Sequence, residues 1–173
     1  MKWNEIPKFK EFGMINPINF GFVSYVDFIN EQVDKYNLQL KPEFQRGHIW
    51  TLDQQEKYIE FILCGGKTGR DFYFNLDRKT NEYVCVDGLQ RTTAFMRFID
   101  GEIKVFEQYF DDFCFTKRET GGNPLPEFRV NVYMNYLENK REVLQWYVDM
   151  NAGGTPHTND EIEKVKKMIQ KLG

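Results

Sequence analysis

The sequence predicts a single α+β domain, on three observations. Segments with helical and with strand periodicity mix along the chain without regular β-α-β alternation. The length of 173 residues suits one domain with a core large enough to fold alone. Apolar residues make up 41% of the chain, with 16 Phe and 9 Tyr, enough to build an aromatic core. Residues 1–16 read as an irregular N-terminal arm and residues 17–173 as the domain.

Each element has a local signal. Ser24 is placed to cap a helix over Tyr25 to Tyr36, with Val26, Ile29 and Val33 on one face. Leu38-Gln39-Leu40 suggests a short strand, and Lys41 to Trp50, punctuated by Pro42 and Gly47, a loop. Thr51-Leu52-Asp53-Gln54 is a capping box for a helix to about Leu63, with Ile59, Ile62 and Leu63 inward and Gly65-Gly66 stopping it. Asp71 to Leu76 and Tyr83 to Val86 read as strands around a polar turn from Asp77 to Asn81. Gly88 breaks the second strand, and a helix runs from about Leu89 to Ile99, ended by Gly101. Residues 103–127 carry only short aromatic pieces. Phe128 to Tyr133 alternates as a strand, and Glu138 to Met150 has helical periodicity ended by Asn151-Ala152-Gly153-Gly154-Thr155-Pro156. Thr158-Asn159-Asp160-Glu161 is a second capping box, opening a charged helix to about Lys171.

Composition excludes several classes. No apolar run approaches the ~20 residues of a membrane span. The start Met1-Lys2-Trp3-Asn4-Glu5 is too polar for a signal peptide, so the expected location is cytoplasmic, with no membrane partner. Lys and Arg total 23 against 26 Asp and Glu, a net charge of -3 that carries no nucleic-acid signature. Cys64, Cys85 and Cys114 form no C-x-x-C pair and have only His48 and His157 beside them, which reads as reduced thiols rather than a zinc site.

Gly66-Lys67-Thr68 resembles the end of a phosphate-binding P-loop, but Phe61 stands where that pattern needs its first glycine. The segment also follows a helix instead of opening one, so it reads as a turn. Asp87-Gly88-Leu89-Gln90-Arg91-Thr92-Thr93-Ala94 is different, because here a strand turns into a helix. Free N–H groups at a helix start attract anions. Arg91 adds a forked cationic donor, Thr92 and Thr93 add hydroxyls, and Asp87 is suited to Mg²⁺ or to orienting a water. The residues alone leave a second reading open, in which Asp87 is an N-cap and Arg91 lies on the surface. Pro42-Glu43-Phe44-Gln45-Arg46, with Trp50 behind it, repeats the Gln-Arg pair of Gln90-Arg91, and the two pairs are suited to converge on one polyanion. The alternative is an ordinary ion pair at Arg46. The glycines of Asn151 to Pro156 fit either an anion-binding nest or a helix C-cap.

Together, Pro42-x-Phe44-Gln45-Arg46-x-x-x-Trp50, Asp87-Gly88-x-Gln90-Arg91 and Asn151-x-Gly153-Gly154-Thr155-Pro156 resemble the N-terminal domain of GmrSD-type modification-dependent restriction enzymes, over about residues 17–165. That domain belongs to the ParB/sulfiredoxin-like superfamily. The resemblance implies a ParB-like α+β fold, a small mixed sheet with flanking helices, that binds a nucleoside triphosphate and often hydrolyses it. Asp87, Gly88, Gln90 and Arg91 would line the phosphates, with Gln45 and Arg46 near the same pocket. The family's box usually reads Asp-Gly-Gln-Gln-Arg, and here the third position is Leu89, which either weakens turnover or faces the core. Family members with restriction activity usually carry a C-terminal His-Asn-His-type nuclease domain, which the two isolated histidines here do not supply.

The leading expectation is thus a stand-alone Mg²⁺-dependent NTPase domain in a restriction or phage-defence setting. Asp87, Gln90 and Arg91 would be catalytic, Asp87 would hold the metal, and Gln45, Arg46, Gly88, Thr92 and Thr93 would bind nucleotide. The alternative is a non-catalytic DNA- or protein-binding module. It would act with a separately encoded nuclease or as a phage or mobile-element anti-defence protein. A third reading is a metal-dependent DNA nickase using Asp87. Sulfiredoxin chemistry needs a cysteine at the turn, where this chain has Gly88-Leu89-Gln90-Arg91. Lys164, Lys166, Lys167 and Lys171 mark a face of the last helix open to DNA, to a partner, or only to solvent.

Overall fold

A computed structural model describes residues 17–45, 49–113, 128–152 and 159–172. The elements run β1 (Ile18–Gly21), α1 (Phe22–Tyr36), a 3-10 turn (Glu43–Gln45), α2 (Leu52–Leu63), β2 (Asp71–Leu76), β3 (Tyr83–Asp87), α3 (Leu89–Ile99), α4 (Phe110–Phe113), β4 (Arg129–Asn135), α5 (Lys140–Ala152) and α6 (Asn159–Lys171). The four strands form one mixed sheet in the order β1-β4-β2-β3. The β1–β4 and β2–β3 pairs are antiparallel and β4–β2 is parallel. This is the α+β architecture expected from the sequence.

Strand alternation sends side chains to two cores. Phe72, Phe74, Cys85, Val130 and Val132 face the larger one, with Phe22, Tyr25, Ile29, Ile59, Phe95 and Phe98 of α1, α2 and α3. Val84 and Val86 face the other, with Phe44, Leu144, Trp146 and Tyr147, and with Val165 and Ile169 of α6. Each fully buried large apolar side chain contributes about 1.5–3 kcal/mol. The larger core is rich in ring contacts, such as Phe22 edge-on to Phe95 at 4.6 Å and Tyr25 against Phe72 at 4.5 Å.

Most element boundaries follow their local signals, with departures at the start of α1, at Leu38 to Leu40 and at the start of α5. The α2 capping box forms as expected: Gln54 N donates to Thr51 Oγ1 at 3.3 Å and Thr51 N to Gln54 Oε1 at 2.9 Å. Helix α1 instead begins at Phe22, with Gly21 at the cap position and Ser24 exposed inside the first turn. The Phe22 amide donates to Phe128 O at 2.9 Å, just before β4, and the helix starts three residues ahead of the position that Ser24 was expected to open. Val33, expected on one face with Val26 and Ile29, is 36% exposed while those two are buried. Leu38 to Leu40 makes only an isolated bridge, Gln39 to Val84. Helix α5 starts two residues later than expected, where the Asn139 side chain accepts from the Arg141 amide at 2.9 Å. The N-terminal arm, Arg46, His48, Cys114, residues 121–126, residues 153–156, His157 and the Thr158 cap lie outside the described residues.

Candidate functional site

The site is built where β3 ends and α3 begins. Gly88 joins them at φ 110°, ψ 2°, in the left-handed region that favours glycine. A Cβ there would stand 2.6 Å from Phe72 Cδ1, so the position is closed by space as well as by angle. Gly88 is also the N-cap of α3, and no side chain caps the helix. The first amides of α3 therefore carry the partial positive charge of an uncapped helix start.

Asp87 does not cap. Its Oδ2 accepts from Arg91 Nη2 at 2.7 Å, one helical turn on. The Arg91 side chain is 16% exposed and that of Asp87 30%, so Arg91 is no free surface residue. Burial opposes the Arg91 charge, yet the Asp87 carboxylate and the nearby Tyr58 and Cys85 together outweigh it and hold the guanidinium above its ordinary range. The guanidinium also lies 5.2 Å from the Phe72 ring centroid. The strand-to-helix turn thus presents a partly shielded cation–carboxylate pair over the helix start. The alternative in which Asp87 caps and Arg91 is exposed does not describe this turn.

The two Gln-Arg segments meet here. Gln45 is buried, and its Nε2 donates to the carbonyls of Cys85, at 3.1 Å, and Val86, fixing the 3-10 turn against the end of β3. Gln90 Oε1 accepts from the Trp50 amide at 2.9 Å. Behind it, Gln55 Nε2 donates to Trp50 O at 2.9 Å, and Arg97 Nη1 donates to Gln55 Oε1 at 2.8 Å. Gln45 and Trp50, on either side of Arg46, are therefore anchored to the end of β3 and to the start of α3, although Arg46 itself lies outside the described residues.

Thr92 and Thr93 are placed differently. Thr92 is wholly buried, with Oγ1 2.6 Å from the Tyr25 hydroxyl, and ties α3 to α1. Thr93 Oγ1 donates to Leu89 O at 2.9 Å. Leu89 is 6% exposed within the larger core, so the departure from the family's box faces inward, away from the turn. Gly66-Lys67-Thr68 links α2 to β2, as its reading as a turn requires. Asn151 lies in the last turn of α5 with Nδ2 donating to Tyr147 O at 2.7 Å.

Other residues reach the site through tertiary structure alone. Tyr73 of β2 is in register with Asp87, across an irregularity between Tyr73 and Phe74 that re-aims the end of β3. Burial, with Asp71 next, pushes the Tyr73 phenol up to about 12. Tyr73 stacks on Tyr133 of β4 at 4.8 Å and 13° between planes, and Trp146 meets Tyr73 edge-on at 6.1 Å. Tyr58 OH donates to Gly69 O at 2.8 Å, and Gly69 backs onto the stem of Arg91. Only the aromatic content of these segments was visible beforehand.

A family model for the N-terminal domain of the GmrSD restriction endonuclease matches residues 27–129. The chain belongs to this family. The match covers more than half of the chain and takes in Gln45, Arg46, Asp87, Gly88, Gln90 and Arg91, while the Asn151 segment lies beyond it. Membership of this family points to a restriction or defence context. No curated protein and no solved structure gives a significant match. Among the described residues, no helix is long and apolar enough to cross a membrane.

Proposed function

We propose that this GmrSD N-terminal domain binds a nucleoside triphosphate at the β3–α3 turn and hydrolyses it with Mg²⁺. The observation that carries the reading is the Asp87–Arg91 pair, held at 2.7 Å beside the uncapped start of an eleven-residue helix. Anionic phosphates suit the helix start, and Arg91 offers them a planar fork of donors. Arg91 exchanges its Asp87 partner for phosphate oxygens, which leaves the Asp87 carboxylate for a metal ion.

The residues fit Mg²⁺. Among the described residues no three His, Cys, Asp or Glu side chains cluster, but Mg²⁺ keeps several waters and takes one or two carboxylates beside substrate phosphates. Bound to Asp87, Mg²⁺ supplies neutralisation of phosphate charge. Gln90 holds the Trp50 end of the loop and orients water or a phosphate oxygen. Arg46, next to the Gln45 anchor, neutralises developing charge. Positioning and charge are most of what phosphoryl transfer asks of a protein. Thr92 is wholly buried, Thr93 bonds back within its own helix and the Gln45 side-chain amide holds the 3-10 turn to β3, so we assign the ligand to Asp87, the Gly88 backbone, Gln90, Arg91 and Arg46.

Ligand-dependent melting tests the binding step. A nucleotide at 100 times its Kd stabilises the folded state by about 2.7 kcal/mol. A rise in Tm with Mg²⁺-nucleotide, absent in Arg91→Ala, is expected. No rise with any of ATP, GTP, CTP or UTP overturns the reading.

A second reading, a DNA- or protein-binding module that acts with a separately encoded nuclease and without turnover, is favoured by one observation. Lys164, Lys166, Lys167 and Lys171 are all exposed on α6. DNA affinity that falls steeply with salt, and is lost when these lysines become Gln, is its signature.

A further inference from the structure

We propose that Tyr133, stacked on Tyr73, is the platform for the base of the bound nucleotide; this rests on the reading of the Asp87–Arg91 turn as a phosphate site. The sheet register places three residues in one row across three neighbouring strands. Asp87 of β3 pairs with Tyr73 of β2, and Tyr73 pairs with Tyr133 of β4. Tyr133 thus stands two inter-strand spacings from Asp87, about 10 Å, a span of the order of that between a nucleotide's base and its phosphates.

The rings are preorganised. Tyr73 is the inner ring, held edge-on by Trp146, and Tyr133 lies flat on it, 13° from parallel and partly exposed. A tyrosine fixed in this way offers a broad apolar face at little cost in conformational entropy. Aromatic faces accept any base by stacking. The neighbouring row supplies polar groups of the kind that meet base edges: Asn131 Nδ2 donates to Asp71 Oδ1 at 2.8 Å, and Asn19 Nδ2 to Asn131 Oδ1 at 3.0 Å. The row therefore runs from Asp87, the partner of Arg91, to an aromatic end at Tyr133.

The test compares the affinities of ATP, GTP, CTP and UTP with that of inorganic tripolyphosphate, for wild type, Tyr133→Ala, Tyr133→Phe and Arg91→Ala, each confirmed folded by circular dichroism. Loss of a stacked base is expected to weaken nucleotide binding about tenfold in Tyr133→Ala. Tripolyphosphate affinity should be unchanged in that variant, Tyr133→Phe should keep the nucleotide affinity, and Arg91→Ala should lose both ligands. Nucleotide affinity unchanged in Tyr133→Ala but lost in Arg91→Ala overturns the platform and leaves the phosphate site standing. Equal loss of nucleotide and tripolyphosphate in Tyr133→Ala makes Tyr133 a residue of the fold and also overturns it. A wild type that binds neither ligand removes both proposals. A Tyr133-dependent affinity for an oligothymidylate strand, with none for free nucleotides, assigns the base to DNA and overturns the nucleotide platform.

Discussion

The backbone amide of Trp50 donates to the Gln90 side-chain oxygen at 2.9 Å, across 40 residues of sequence. This bond joins the two Gln-Arg segments, and Gln55 and Arg97 support it from behind. Gln90→Ala removes the acceptor, and one such bond is worth about 0.5–1.5 kcal/mol. Amide hydrogen exchange at Trp50 is expected to quicken by up to about tenfold in Gln90→Ala, whereas Gln90→Glu, which keeps an acceptor, restores protection. Unaltered exchange in Gln90→Ala contradicts this role.

Gly88→Ala tests the turn itself. The substitution forces a side chain into a left-handed conformation and against the Phe72 ring. Such a position costs about 1–3 kcal/mol. Chemical denaturation should register that loss, while Gly101→Ala, also at positive φ but with nothing within 4 Å of its Cβ, should cost less. Equal losses would show that the Phe72 contact plays no part.

Acid stability depends in part on the β2–β3 turn. The Lys79 amide, followed by Thr80, bonds the Asp77 carboxylate and holds it below its ordinary range. A depressed folded value stabilises the protein above the ordinary carboxylate pKa of about 3.9, and that contribution disappears as pH falls through the folded value. Asp77→Asn should therefore lower Tm at neutral pH and match wild type at strongly acid pH. A Tm gap that persists in acid would exclude the ionised carboxylate as its source.

Thiol chemistry separates the cysteines. Burial pushes the Cys85 thiol well up, and the residue is fully enclosed, whereas Cys64 is exposed. An aromatic disulfide reagent on the native protein should modify Cys64 and leave Cys85 intact until denaturant is added, as peptide mass mapping would show. Rapid labelling of Cys85 would mean that the end of β3 opens readily.

Local chemistry was legible where the chain satisfies itself locally. Thr51 and Gln54 close their own capping box, so α2 was readable from four residues. Asp87-Gly88 announced a strand-to-helix turn because glycine's freedom is needed at that residue. Ser24 misled because the helix already starts at Phe22, whose amide finds its acceptor on Phe128, far along the sequence. The partnership of Asp87 with Arg91 sits at i,i+4 and was within reach of sequence. The burial of Thr92 against Tyr25 and the Asp87–Tyr73–Tyr133 row were not, since both arise from strand register and helix packing.

The central claim is that Arg91, released from Asp87, holds the phosphates of a nucleotide that is then hydrolysed. Phosphate release from ATP, GTP, CTP and UTP with Mg²⁺ tests it most directly, with wild type and Arg91→Ala compared and DNA present or absent. A charged hydrogen bond to phosphate is worth about 1.5–3 kcal/mol, so Arg91→Ala should weaken nucleotide affinity more than tenfold and abolish release at limiting nucleotide. Release by wild type that Arg91→Ala matches, or no release from any of the four nucleotides, contradicts the account.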